Sequence, residues 1–433
     1  MLGAGAVLGT RHLLARHMPD APRWIKAGAP TALGLMMLLD PEAQHFAVSG
    51  LTELPFTVLY LAAMLGLARG AGAEYPLVYG LLLGIAGLFR ANMLWLAPPC
   101  ALASAWCALP GRRLRVALVV LAGFVLPLAP WWIYKWRTFG SPAWDVTRFV
   151  IWDHVQGRTW FQRYHRPELP DLPRGGEAVR LIATKVVGNL RHMLLPLLEG
   201  PRGLWLGAIV AWLFTRPRRP LMAAGVVLLA GLALNLFAAC ISIPWLRYVF
   251  PTRVIAEGAG LLALWALVQR LPGAGERVRG AVCVAAAALA LGWGTWQTRQ
   301  VQDESRNAAQ ERGVPSTATI TGLSVTLSSV LTPGETVMSN LGPALAWQTN
   351  HPVIHLALSP AEVTACRRRH DFRHIVLSFR STDRVWDDWR EIAERPGAAQ
   401  LVQELAVTRE QRFATSDGFT IVWLELGPLP PSL

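Results

Sequence analysis

Charge is scarce in this sequence. Only 16% of its 433 residues are Asp, Glu, Lys or Arg, against roughly 25% in an ordinary soluble domain. Lysine is almost missing, with Lys26, Lys135 and Lys185 the whole complement. Five cysteines are present, and none forms a CxxC pair, so neither a disulfide framework nor a zinc site is legible. Cys100, Cys107, Cys240 and Cys283 lie in apolar runs and read as small buried hydrophobes. Compact catalytic signatures are also missing. There is no HExxH, GxSxG or HxE…PCxxC, so any chemistry must come from scattered polar side chains. No basic residue precedes Arg11, where a secretory signal would put its positive charge first, so no such signal is evident. Met1 to Leu14 reads instead as the end of a helix whose beginning is missing.

Apolar residues dominate what remains, at 53%. They are unevenly spread and predict two regions with a boundary near Gln297. Residues 1–297 are expected to form a transmembrane helix bundle, and residues 298–433 a small soluble α/β domain. A helix that crosses hydrocarbon needs about 20 mainly apolar residues. The runs at 27–39, 51–68, 77–89, 93–109, 114–134, 203–215, 221–243, 248–268 and 280–296 meet or approach that length, beside a stub at 1–15. The net charge of +13 does not point to nucleic acid, because the arginines sit in short clusters between apolar runs rather than on one polar face.

Those clusters predict an orientation. Arg11, Arg16, Arg23 and Lys26 form one. Arg69 stands alone. Arg112, Arg113 and Arg115 form another, then Arg216, Arg218 and Arg219, then Arg270, Arg277 and Arg279. With all of them cytoplasmic, the spans between them alternate consistently. The long loop at about 135–202 then falls outside, as does the C-terminal domain. The same assignment gathers Asp40 to Glu53, Arg90-Ala91-Asn92 and Trp245 to Tyr248 at the outer face, in a cell (inner or plasma) membrane. The tryptophans at 131, 132, 136, 144, 152 and 160 read as an interfacial aromatic belt. An amphipathic surface helix fits residues 176–198.

In the C-terminal region, strands are expected at 335–339, 352–356, 374–379 and 419–424, with helices near 317–331, 359–369 and 383–394. This region has no GxGxxG and no P-loop. His351 and His355 share the spacing of a helical metal pair, but they flank a strand-like Pro-Val-Ile, so no metal ligand is assigned.

Ionisable groups near membrane depth are costly to place and are therefore functional candidates. Asp40, Glu42 and Glu53 can each supply a general base or, equally, a solvated or dipole-favoured carboxylate at a helix end. Arg90 can hold a phosphate or snorkel to the interface. Arg247 and Tyr248 can clamp an anionic headgroup or anchor a helix.

Four segments together resemble the polytopic GT-C class of glycosyltransferases, in the group that includes protein mannosyltransferase-like and lipid-A-sugar-transferase-like enzymes. They are Ser49-Gly50-Leu51-Thr52-Glu53-Leu54-Pro55-Phe56; Gly80-Leu81-Leu82-Leu83-Gly84-Ile85-Ala86-Gly87-Leu88-Phe89-Arg90; Ala129-Pro130-Trp131-Trp132 through Phe139-Gly140-Ser141-Pro142; and Arg247-Tyr248-Val249-Phe250-Pro251. Their order and spacing agree over most of residues 20–265. The resemblance implies a mainly α, multi-pass fold with an extracytoplasmic site. It implies hexosyl or pentosyl transfer from a polyprenyl-phosphate-sugar donor, with membrane lipids around the bundle and an acceptor that the motifs do not name. Arg90, Arg247, Tyr248 and Lys135 would then serve the donor phosphate. No cofactor is implied, and the motifs leave any need for a divalent metal open. The class usually carries its catalytic aspartate in the first external loop. This chain begins near what would be the third or fourth helix, so a missing start, a substitute such as Asp40, or an inactive chain all remain open. Two rival readings stand beside the transferase. One is a transporter or flippase of a lipid-linked intermediate, although the internal repeats it favours are not visible. The other is a non-catalytic membrane assembly protein.

Overall fold

The computed structural model describes residues 52–143, 150–151, 175–242, 248–273, 275–311, 315–357, 359–379 and 387–428, with residues 7, 8, 11, 26, 30, 31, 34, 35 and 37–40 before them. Glu42, Arg247, Trp144, Trp152, Trp160 and most of the stub at 1–15 lie outside the described residues. The chain divides into two units, Met1–Val301 and Gln302–Leu433.

The first unit is helical. Its elements are α1 (Glu53–Arg69), the single turn α2 (Ala71–Glu74), α3 (Pro76–Phe89), α4 (Met93–Cys107), α5 (Arg113–Phe139), α6 (Gly175–Leu198), α7 (Pro201–Phe214), α8 (Arg219–Ile241), α9 (Phe250–Gln269) and α10 (Glu276–Glu311), whose residues from Gln302 onward belong to the second unit. Among the described residues, five segments are long and apolar enough to cross a membrane: Pro110–Phe139, Gly175–Leu198, Arg219–Ile241, Phe250–Gln269 and Glu276–Gln297. Shorter apolar helices among the described residues include α3, α4 and α7. Segment 176–198, expected as a surface helix, has the length and composition of a span. It packs Met193 and Leu197 against Leu232, Ala239, Cys240 and Val249, and Asn189 donates to the Cys240 carbonyl at 2.9 Å. Trp131 and Trp136 stand exposed near the end of α5, as an aromatic belt requires.

Glycine sets the tightest crossing. A Cβ on Gly123 of α5 would lie 2.7 Å from the Leu77 carbonyl oxygen of α3. One on Gly80 or Gly84 would collide with the carbonyls of Val120 and Phe124. Apolar helices in lipid gain little from burying more hydrocarbon, so close backbone approach through small residues is what holds such a pair. That grip fixes the axis of α3, and so the place where Arg90 leaves it.

The second unit is a five-stranded sheet with helices on both faces. Its elements are α11 (Thr317–Val330), β1 (Thr336–Ser339), α12 (Gly342–Thr349), β2 (Val353–His355), α13 (Val363–Arg369), β3 (Phe372–Phe379), α14 (Asp387–Glu394), β4 (Val407–Ala414) and β5 (Thr420–Leu426). The strand order is β2-β1-β3-β5-β4. β1 pairs parallel with β2 and β3, whereas β5 runs antiparallel to both β3 and β4. The two-residue period of a strand sorts its side chains between the faces. Val376, Ile421 and Trp423 meet Leu323 and Leu327 of α11 and Leu345 of α12. Ile375, Leu377, Val422 and Leu424 meet Val363, Trp389 and Ile392. β4 and α12 are absent from the sequence expectation. β4 carries Arg409, Glu410 and Arg412 along an edge, a polar pattern that blunts edge-to-edge pairing and hides the strand. α12 is only two turns long, and tertiary packing of Leu345 defines it.

Candidate functional site

Glu53 is the first residue of α1, where the helix dipole favours a carboxylate. It is 3% exposed. Its Oε1 lies 2.6 Å from Arg90 Nη1. Its Oε2 is buried and has no hydrogen-bond partner among the described residues. Arg90 caps α3 in an extended conformation, and its guanidinium stands 5.5 Å over the Tyr248 ring. The fold thus brings together three of the residues singled out from the sequence, drawn from segments nearly two hundred residues apart.

A neutral polar chain ties this group to the helices around it. Asn92 Nδ2 donates to Asn235 Oδ1 at 2.7 Å and to the Tyr248 carbonyl at 3.3 Å. Asn235 Nδ2 donates to Thr252 Oγ1 at 3.3 Å, and that hydroxyl donates to the Val249 carbonyl at 2.9 Å. Asn235 and Thr252 are fully buried. The starts of α4 and α9 and the body of α8 are therefore locked around Arg90 and Tyr248.

A second ionic group lies in the same unit. Arg253 Nη2 reaches Asp40 Oδ2 at 2.9 Å, and its Nη1 reaches Glu257 Oε1 at 3.3 Å. Arg202 Nε lies 3.3 Å from the same Glu257 oxygen, and Arg202 also donates to Gln297 Oε1 at 2.9 Å and to the Pro196 carbonyl at 2.7 Å. Asp40 is thus a buried partner of an arginine rather than a solvated helix end. The sequence reading passed over Arg202, Arg253 and Glu257. Their signal was the i, i+4 pair Arg253 and Glu257 inside an otherwise apolar helix, a spacing that places opposite charges on one face. Lys135 falls elsewhere: its ammonium lies 5.5 Å from the Trp131 ring, one turn back on α5. Glu42 and Arg247 lie outside the described residues. His351 Nδ1 lies 3.2 Å from the Glu335 carbonyl and His355 Nδ1 lies 3.3 Å from that of Leu356, so each ring faces a backbone oxygen.

Buried ion pairs rarely add stability over hydrophobic residues of equal volume. Within apolar helices they mark a working site by default. Chemically, the Glu53 group offers a carboxylate oxygen able to take a proton, beside a guanidinium with donors to spare.

No protein-family model matches the chain, and no curated protein matches it by sequence. Solved structures do match. ArnT from Cupriavidus metallidurans bound to undecaprenyl phosphate is 13% identical, with a TM-score of 0.53, over 98% of this chain and 82% of that one. The apo form of the same protein gives 14% identity and a TM-score of 0.52 over the same shares. ArnT is a lipid-A sugar transferase of the GT-C class. This chain has the GT-C fold. With that fold and its apolar helices, it is a multi-pass membrane protein. The match extends over 98% of this chain, so the small sheet domain that follows the helices is consistent with the fold of that structure. The polytopic frame is where the Glu53, Arg90 and Tyr248 group and the Arg253 group are built.

Proposed function

We propose that this protein is an integral membrane glycosyltransferase. In this reading it moves a hexosyl or pentosyl unit from a polyprenyl-phosphate donor to an acceptor hydroxyl, on the extracytoplasmic side of the inner or plasma membrane. The observation that carries the reading is Glu53, a buried carboxylate with one oxygen on Arg90 and the other without a partner among the described residues. The GT-C fold, shared with a structure that holds undecaprenyl phosphate, supports the donor class by analogy.

The roles follow from chemistry. Glu53 accepts the proton of the acceptor hydroxyl as its oxygen attacks the anomeric carbon. The bond from that carbon to the phosphate oxygen breaks, and the polyprenyl phosphate leaves. Arg90 holds one carboxylate oxygen through one nitrogen and has further donors for the phosphate. Tyr248 steadies the guanidinium from its ring face. Asp40, engaged by Arg253, is the weaker choice of base.

The test is transfer of labelled sugar from polyprenyl-phosphate sugars in membranes holding the full chain. Glu53→Gln and Arg90→Ala should each abolish transfer while the protein stays in the membrane. Unchanged transfer by both variants would overturn the assignment. Movement of the lipid across the bilayer with no transfer would make the protein a flippase.

A further inference from the structure

The second unit holds a pocket that the bundle chemistry does not use. It has a volume of about 360 Å³, within the range of roughly 300–1,000 Å³ typical of small-molecule sites. Thr319, Gly322 and Thr326 of α11 form one wall, and Phe413, Thr415 and Ser416 at the end of β4 form the other. No charged side chain lines it.

Three observations narrow what can occupy it. First, the one aromatic residue in its lining, Phe413, is 40% exposed, so apolar ring surface is left uncovered at the pocket wall. Second, the walls carry hydroxyl oxygens whose protons are already used within the protein: Thr326 Oγ1 donates to the Gly322 carbonyl at 3.0 Å, and the Thr319 and Thr415 hydroxyls donate to Asp417, which leaves oxygen lone pairs as the groups on offer. Asp417 Oδ2 accepts from the Ser316 amide at 2.6 Å and from Thr319 Oγ1 at 3.0 Å, and its Oδ1 accepts from Thr415 Oγ1. Asp417 therefore staples the start of α11 to the β4–β5 turn and holds the two walls at a fixed separation. Third, Gly322 lies inside α11, where glycine is a poor helix former. A Cβ built on it meets nothing within 4 Å, so helix packing does not require glycine there. Its effect is to leave the pocket wall open.

An exposed phenyl side chain and a rim of hydroxyl oxygens that can accept, with no charged side chain in the lining itself, complement a pyranose, which has a C–H face and a rim of hydroxyl donors. We infer that this pocket is a binding subsite for a neutral sugar ring. It stands apart from the transferase reading, because it lies within the second unit and can be measured with no donor lipid present.

The experiment uses the full chain in lipid nanodiscs free of glycoside detergent. Saturation-transfer difference NMR is recorded with methyl glucoside, methyl galactoside and methyl mannoside, and with glucuronate and glucosamine as charged comparators. At least one neutral glycoside should bind and outcompete both charged sugars. Phe413→Ala should weaken that binding about tenfold. Gly322→Phe should abolish it, while Gly322→Ala keeps it within about threefold, since a methyl group enters open space. Phe413 is exposed, so its variant keeps the test sound even if Gly322→Phe misfolds. The inference is overturned if no neutral glycoside binds, if a charged sugar is preferred, or if Phe413→Ala binds as tightly as the parent. Octyl glucoside binding where methyl glucoside does not would assign the pocket to the lipid chain instead, which also overturns it.

Discussion

Buried arginines occur in both units, and their partners differ. In the helical unit, Arg90 faces Glu53, while Arg253 faces Asp40 and Glu257. In the sheet unit, Arg367 donates to the carbonyls of Phe372 and Gly427. Half-buried Arg412 donates to those of Ala393, Ile392 and Arg395, and among the described residues it also pairs with the Glu410 carboxylate. The second use is architectural: Arg412 satisfies carbonyls at the C-terminal end of α14, where a cation is favoured. The first use has no such explanation, because helices in lipid satisfy their own backbone. Glu53 does lie at a helix start and Arg202 does reach the Pro196 carbonyl, but the pairing of Arg90 and Arg253 with carboxylates of other segments goes beyond what helix ends need.

This contrast is open to measurement. The largest effect is expected at Glu53. Glu53→Gln should reduce sugar transfer by about 10²–10⁴-fold, the usual span for loss of a general base. Arg412→Ala should leave the rate of the folded protein unchanged. Equal effects on transfer would erase the distinction between the two uses of arginine. Next comes Arg253→Met, which removes the guanidinium that bridges buried Asp40 and Glu257 and leaves Arg202 as the cation beside Glu257. It should lower the stability of the bundle by about 3–5 kcal/mol in thermal unfolding in micelles. Adding Asp40→Leu should recover a large part of that loss. No recovery would mean that Arg253 acts through packing alone. Smaller again is Arg412→Ala, with an expected cost of about 1.5–3 kcal/mol, read as faster amide exchange in α14. Arg412→Lys should not restore it, since one ammonium cannot address three carbonyls as a planar fork does.

The smallest effect concerns pH. His374 is buried and lies between Trp423, whose Nε1 donates to its Nδ1 at 3.1 Å, and Glu335, whose carboxylate is 3.4 Å from its Nε2. Burial pushes its pKa below the ordinary imidazole value. Glu335 and Glu425 oppose that shift, and Arg373 adds to it. The unfolded chain therefore binds a proton at a higher pH than the fold does, and stability falls as pH drops below about 6.5. Acidification also removes the acceptor that Trp423 uses. Amide exchange in β3, corrected for intrinsic rate, should rise between pH 7 and pH 5, and His374→Gln should flatten that slope. An unaltered slope in the variant would assign the pH response to another group.

Much of the helical unit was legible because a membrane imposes length and apolarity on each span. The boundaries of α3, α4, α8 and α9 fall close to the apolar runs for that reason. Arg90 and Glu53 were legible as ionisable groups at the ends of such runs. That they meet each other was not, because pairing depends on the α3–α5 crossing, which is set by backbone contact at glycines. The group around Arg253 was hidden for a related reason. A pair of opposite charges dilutes the apolarity of a helix only slightly, and its buried partners Asp40 and Arg202 come from distant segments. β4 was hidden because an exposed edge shows the strand period through charged residues.

The spacing of the ion pairs along the chain has a consequence for biosynthesis. Arg90 follows Glu53 within one helical hairpin, so that carboxylate meets its counter-charge soon after α3 enters the membrane. Arg253 follows Asp40 by 213 residues. Until α9 has been made, the nascent bundle carries Asp40 without that guanidinium. A chain cut short before α9 lacks one half of the Asp40–Arg253 contact, so this contact is among the last that synthesis can complete.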